Sequence, residues 1–303
     1  MSEYPDLYSC TVLVGKNTDK TFETQPVGDV PMSQKGEQDT YLLGSEKSAL
    51  QRYRLFNEIY MPGTTQRLAN LSLAPDSEVL EIGCGIGETA CYFAQHLVPD
   101  GHVTAFDKAP DLVELARQRS AELGIENISF FCESAQDFSF EAGRFGFAHT
   151  RYVLSYLSDA AAILQKIHKS LAPSGIFLGE EIAQLYVKDG RAAWYENMTG
   201  WFAGLIKAGG GNPNYGLDAM PADMIAAGFT GLDVSAYWPF EDQQKVVDTL
   251  RIALTREMKQ AIVGLNLASG EDVDDVASNL AMTKRDYRIS ASAAIQITGK
   301  KAL

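Results

Sequence analysis

The chain has 303 residues, with 39 acidic against 26 basic side chains and a net charge of −13 at pH 7. Phosphate contacts need a surplus of Lys and Arg, so this balance argues against a nucleic-acid binder and against docking to an anionic membrane surface. No run of ~18 apolar residues occurs, and the first thirty residues hold no apolar signal-peptide segment, so a cytoplasmic protein is expected.

Residues 1–38, with Pro5, Pro26 and Pro31, read as a flexible N-terminal arm. Residues 39–75 read as two N-terminal helices. Leu50, Tyr53, Leu55, Ile59 and Tyr60 recur at helical spacing until Pro62-Gly63, and a second helix over Thr64–Leu73 stops at Pro75. From residue 76 strands and helices alternate. Strands are expected at Val79–Gly83, His102–Asp107, Asn127–Glu133, Phe145–Thr150 and Ile176–Glu180. Helices fall between them, ending near Leu97, Leu123 and Leu171. This rhythm means βαβ units and an α/β, doubly wound parallel sheet. It then breaks. Residues 183–217 and 241–283 read as helical cap insertions, flanking strands at Leu232–Tyr237 and Tyr287–Ile297. The whole of 76–303 is thus one seven-stranded domain with a cap. Cys10, Cys84, Cys91 and Cys132 form no C-x-x-C pair, so neither a metal site nor a disulfide framework is expected.

The most informative stretch is Val79-Leu80-Glu81-Ile82-Gly83-Cys84-Gly85-Ile86-Gly87-Glu88. Glycines let backbone approach a ligand, because no Cβ intrudes. In an open α/β sheet the site lies beyond the carboxyl ends of the strands. A dinucleotide fingerprint would read G-x-G-x-x-G. This loop reads G-x-G-x-G and carries Glu81 and Glu88. Carboxylates repel a pyrophosphate and suit an ammonium group, which favours a zwitterionic sulfonium ligand over NAD.

Glu81-Ile82-Gly83-Cys84-Gly85-Ile86-Gly87 resembles the first motif of class I S-adenosylmethionine (AdoMet) dependent methyltransferases. Val103–Asp107 resembles that family's second strand, with Asp107 26 residues after Glu81. Phe131–Asp137 resembles its adenine-lining segment, and Leu171–Ile176 its turn before the fifth strand. The resemblance implies a Rossmann-like sheet of seven strands, the last antiparallel. It implies AdoMet as cofactor, S-adenosyl-L-homocysteine as product, and no metal. Its candidate cofactor residues are Tyr41, Glu81, Gly83, Cys84, Gly85, Gly87, Asp107, Lys108, Ala135, Gln136, Thr150 and Arg151. Asp107 would hold the ribose hydroxyls, Ala135 and Gln136 the adenine. Tyr41 would reach the AdoMet carboxylate from N-terminal helices that cover the cofactor. The arm would close its own site or a neighbour's, which is a route to a homo-oligomer.

The fourth strand runs Phe145-Gly146-Phe147-Ala148-His149-Thr150-Arg151-Tyr152 and lacks the Asp that the family often has at Gly146 or Ala148. His149, Arg151 and Glu180 are the candidate catalytic groups, His149 as a general base, with Glu180 and Glu181 at the end of the fifth strand as alternative bases or cation contacts. Tyr152, Trp194, Trp201, Tyr215 and Trp238 are candidate substrate contacts, with formation of the cap's own core as the competing role. Residues 218–283 hold 11 acidic and 4 basic residues, a net −7. The expected substrate is therefore a neutral, hydrophobic or cationic small molecule, natural-product-like, methylated on O, N or C by in-line displacement. Most of the acceleration would come from orientation. An NAD(P)-dependent oxidoreductase and a non-catalytic AdoMet-binding protein stand as the alternatives.

Overall fold

The computed structural model describes residues 47–183, 193–239, 243–281 and 292–303. The chain divides into a unit of residues 1–39, outside the described residues, and a unit of residues 40–303.

Helix α1 (Lys47–Leu68) enters first. Five strands follow: β1 (Glu78–Ile82), β2 (His102–Asp107), β3 (Ile128–Cys132), β4 (Phe145–Arg151) and β5 (Leu171–Ala183). Between them lie α2 (Glu88–Tyr92), which winds on as a π-helical turn over Phe93–Leu97, then α3 (Pro110–Glu122) and α4 (Ala160–Ser170). The sheet order is β3-β2-β1-β4-β5-β7-β6. The first five strands are parallel, and β7 (Ala293–Lys300) runs antiparallel between β5 and β6 (Thr230–Tyr237). Seven strands are present as expected, with the last antiparallel; it covers Ala293–Lys300 rather than Tyr287–Ile297, of which residues 287–291 lie outside the described residues. Strand order reverses between β1 and β4, which opens a crevice at their carboxyl ends.

Side chains alternate along each strand, so each face of the sheet has its own residues. Leu80, Ile82, Phe106 and Phe177 pack against α4 and α7 (Met220–Ala227). On the other face Val79, Ala105, Phe147 and Leu178 pack against Phe93. Two residues further along each of these strands stand Glu81, Asp107, His149 and Glu180. One sheet face therefore turns from apolar to ionisable at the strands' carboxyl ends.

The break expected at Pro62-Gly63 does not occur. The helix α1 runs through both residues and ends at Leu68, short of Leu73. An interior proline costs about 3 kcal/mol. Burial on either side overrides that cost. Ile59, Tyr60 and Thr64 are buried, and a Cβ added to Gly63 would lie 2.2 Å from Cγ of Tyr237. Arg67 secures the end of α1, donating to the Asp233 backbone at 2.8 Å and to Thr298 Oγ1 at 3.0 Å.

The cap comprises α5 (Ala193–Ala208), the short α6 (Tyr215–Asp218), α8 (Gln243–Ile252), α9 (Lys259–Gly264) and α10 (Gly270–Ala281). A π-helical stretch, Ala253–Met258, joins α8 to α9. The two pieces of the cap and α1 share one apolar core, built around Ile59, Tyr60, Met198, Trp201, Val246 and Ile262.

Candidate functional site

The glycine loop turns sharply after β1. Gly83, Gly85 and Gly87 all take left-handed backbone angles, with φ of 72°, 53° and 80°. Residues with a Cβ avoid this region, at a cost of about 1–2 kcal/mol each. Gly83 N–H and Cys84 N–H both donate to the Phe106 carbonyl, at 2.8 and 2.9 Å, and so fix the loop to β2. Gly87 lets α2 approach α3: a Cβ there would sit 2.8 Å from Cβ of Ala116. Gly85 differs. A Cβ there would meet only Cε1 of Tyr53, at 4.0 Å, so this residue faces the crevice beneath α1. Cys84 is buried, and burial, Asp107 and Glu81 together push its thiol pKa well up, so it adds backbone rather than a thiolate.

Asp107 ends β2 and is buried. Its Oδ2 accepts from Gly85 N–H at 3.0 Å and its Oδ1 from Ala109 N–H at 3.0 Å. The Lys108 N–H also acts on this carboxylate, whose two oxygens offer about four acceptor positions in all. Burial raises its pKa, partly offset by these backbone donors. Lys108 beside it is exposed, Ala135 is buried, and Gln136 is exposed with its carbonyl accepting from Lys166 Nζ at 2.6 Å.

The row of ionisable groups crosses three strands. Glu81 and His149 are register partners on β1 and β4. His149 has no exposed surface, with Nδ1 3.7 Å from Glu81 Oε1 and Nε2 3.9 Å from Glu180 Oε1. Glu81 Oε2 is buried and has no hydrogen-bond partner among the described residues. Glu180 Oε2 accepts from Thr64 Oγ1 at 2.8 Å, and its Oε1 from Gln296 Nε2 at 3.2 Å. Arg151 lies one step beyond, half-buried, donating to Asn57 Oδ1 at 2.7 Å and Thr64 Oγ1 at 3.1 Å. Thr150 is buried, and its Oγ1 has no partner among the described residues. Tyr152 follows with φ of 58°, an uncommon angle outside glycine, and such strain gathers at functional sites.

The arrangement is a buried carboxylate held by backbone donors on β2, an open glycine turn, and on β1 a buried carboxylate with one oxygen facing His149 and the other without a partner among the described residues. A profile described as "Methyltransferase domain" matches residues 79–175, the stretch that carries all three. Over these residues the chain is similar to a methyltransferase domain. An uncharacterized methyltransferase of Bacillus subtilis, YodH, is 36% identical over 110 residues, covering 36% of this chain and 45% of that protein. Methyltransferase str2 of Strobilurus tenacellus is 30% identical over 156 residues, covering 51% of this chain and 54% of its own length. The chain thus spans about half the length of these curated relatives. Among solved structures, the mycolic acid cyclopropane synthase CmaA1, complexed with SAH and CTAB, shares the fold. It has a TM-score of 0.56 at 18% identity, over 81% of this chain and 85% of that one.

The aromatic residues expected at the substrate separate in the structure. Tyr152 packs edge-on against Phe56 and Tyr60, at 4.9 and 5.0 Å between ring centroids, and borders the cap core that holds Trp201. Tyr215 and Trp238 belong instead to the sheet core, and Tyr215 donates to Asp223 Oδ2 at 2.8 Å. Tyr215 and Asp223 line a cleft of about 220 Å³ with Leu157, Asp159, Gly210 and Asn212, none of them from the glycine loop. Trp194 lies on α5, but its side chain is outside the described residues, as is all of Tyr41.

Two contributors to the crevice escape the sequence: Asn57 and Thr64 reach it from α1, where nothing local marks them. Glu181, expected as an alternative base or cation contact, has a structural role instead. It is fully buried, and its carboxylate accepts from the backbone N–H groups of Val153, Leu154 and Ser155 and from Ser155 Oγ at 2.6 Å. Glu181 thus holds the turn that follows Tyr152. Burial pushes its pKa up to about 7 against the pull of these donors. The folded chain therefore binds more protons than the unfolded one between pH about 4.5 and 7, so Glu181's contribution to stability falls as pH rises through that window. Over the window the fall is on the order of 2–3 kcal/mol. Thermal melts from pH 4.5 to 8 should show the Glu181→Gln variant losing that part of the slope. Identical slopes would show that Glu181 titrates normally.

Proposed function

We propose that this chain transfers a methyl group from AdoMet to a small molecule. The single observation behind the reading is the pairing of Asp107 with Glu81 on either side of the Gly85 turn. Asp107 is a buried carboxylate at the end of β2 with acceptor capacity left beyond its backbone donors for a vicinal diol. Glu81 offers a buried, unpartnered oxygen for an ammonium group. The same oxygen would repel a dinucleotide's pyrophosphate, so the oxidoreductase alternative fits poorly. The residues present therefore suit AdoMet. Ala135, Gln136 and Lys108 are assigned to the adenosine side, and Gly83, Cys84, Gly85 and Gly87 to the backbone cradle. Thr150, Arg151 and Tyr41 are assigned to the methionine side.

When bound, AdoMet supplies a methyl group on an excellent leaving group. The chain's part is to hold the acceptor in line, exclude water and accept a proton where one is released. Tyr152, Phe56 and Tyr60 form the aromatic wall nearest the end of β4, which supports a hydrophobic or natural-product-like acceptor. His149 has no exposed surface and packs against Phe93 and Phe147, so it is assigned to positioning rather than to proton removal. A cytoplasmic location and an oligomer through the N-terminal segment complete the reading. Among the described residues no helix is long and apolar enough to cross a membrane, and no metal-ligand cluster occurs.

Calorimetry with AdoMet, S-adenosyl-L-homocysteine and NAD, followed by mass spectrometry of extract incubated with isotopically labelled AdoMet, tests this. Labelled small-molecule product is the expected result. Binding of NAD without AdoMet would overturn the reading. Binding of AdoMet with no labelled product would leave the non-catalytic alternative.

A further inference from the structure

Three features outside the cofactor cradle stand out: the Asp223 cleft, the Arg52–Glu257 pair that ties α1 to the cap, and the row Glu81–His149–Glu180. The row carries the most. A histidine with no exposed surface lies between two carboxylates that belong to different strands. Both separations exceed a hydrogen bond, so the coupling is one of charge rather than of a shared proton. One carboxylate, Glu81, keeps its second oxygen buried and without a partner among the described residues. The other is bound by Thr64 of α1, which Arg151 also contacts.

We propose that His149 is a positioning residue whose imidazolium bridges Glu81 and Glu180, holding Glu81 in place for the ligand's ammonium group and linking that carboxylate to α1. This rests on the AdoMet reading for the identity of the ligand alone.

Two buried carboxylates with one cation between them leave a net charge of −1. A ligand ammonium beside Glu81 Oε2 brings the cluster to neutrality. Without the imidazolium, two like charges in a buried site cannot both ionise, and one takes up a proton. The groups facing His149 are few. Glu81 comes from β1 and Glu180 from β5. Thr64 and Gln296 are neutral contacts of Glu180, while Arg151 and Tyr152 act on it from the end of β4. From α2 come the Cys91 thiol, pushed up to about 12 by burial and by Glu81 and Glu88, and just beyond it the neutral ring of Phe93. Burial lowers the His149 pKa, but the two carboxylates outweigh it and hold it above the usual value. Glu180 moves the complementary way: burial raises its pKa, and His149, Arg151 and Thr64 together bring it below the ordinary carboxylate range.

The test uses the full chain in four forms: wild type, His149→Gln, Glu180→Gln and the double variant. In the wild type free of ligand, nitrogen-15 imidazole spectra, assigned by the signal lost in His149→Gln, should show a cationic ring at pH 7.5. A neutral ring overturns the proposal whatever the ligand is. In calorimetry, His149→Gln should bind AdoMet about five- to tenfold more weakly and release a proton on binding, read from buffers of different ionisation enthalpy. KM for AdoMet should rise with kcat little changed. Adding Glu180→Gln should restore affinity to within about threefold, because the second buried negative charge is then gone. A packing defect would give neither the proton release nor the recovery. Wild-type affinity in His149→Gln, or no recovery in the double variant, overturns the bridge. Failure of the wild type to bind AdoMet would sink the methyltransferase reading and leave the imidazole spectrum to decide the bridge.

Discussion

The Asp107→Ala variant is expected to bind AdoMet more than tenfold, and roughly a hundredfold, more weakly than the wild type. A carboxylate accepting from a vicinal diol makes two charge-assisted hydrogen bonds, each worth about 1.5–3 kcal/mol. Asp107 also accepts from Gly85 and Ala109 N–H, so alanine would strip acceptors from two backbone donors and loosen the turn itself. The Asn variant separates the two effects. It keeps one oxygen for the backbone, discards the charge, and should fall between wild type and Ala in affinity while melting close to wild type. Calorimetric titration measures the first quantity and a thermal melt the second. Unchanged affinity in Asp107→Ala would remove the ribose role.

The largest expected stability change lies far from the glycine loop. Arg52 Nε and Glu257 Oε2 are 2.7 Å apart, with side chains only 7% and 2% exposed. The pair ties α1 to the π-helical stretch between α8 and α9. The Arg52 guanidinium also lies over the Tyr53 ring, 4.3 Å from its centroid. Removing one partner of a buried pair leaves a charge in low dielectric and costs about 3–5 kcal/mol. The Glu257→Ala variant should lose that much in denaturant unfolding. Lys259→Ala, which breaks a pair with Asp274 whose side chains are 34% and 62% exposed, should lose at most about 1 kcal/mol. Because α1 presents Tyr53 to Gly85 and Thr64 to Glu180, Glu257→Ala should also weaken AdoMet binding. Equal losses in the two variants would show that burial of the Arg52 pair is not what matters.

Much of the fold is legible in the chain because its cues are local. Short apolar runs, each closed by a turn and a helix, specify the parallel strands, and the glycine spacing after β1 specifies a ligand-facing turn. Asp107 is legible for the same reason: it ends a strand at a fixed distance from Glu81. The break expected at Pro62 was a local cue too, and there packing of Gly63 against Tyr237 prevailed. The aromatic residues of the cap were ambiguous in sequence, since burial in a core and contact with a substrate require the same side chains. The structure divides them, with Tyr152 and Trp201 at the cap and Tyr215 and Trp238 in the sheet core.

The sequence by itself determined the α/β class, the seven strands, the acidic balance and the glycine turn with its flanking carboxylates. Each follows from composition or from residues within a few positions of one another. Only the tertiary structure decided which charges meet. His149 lies 68 positions from Glu81 and 31 from Glu180 in sequence, and parallel strand order alone brings the three into one row. The same holds for Thr64, Asn57 and Glu257, whose partners are supplied by packing across the crevice. A buried charge takes its meaning from the counter-charge opposite it, and that distance is set by register and helix docking, which no local pattern encodes.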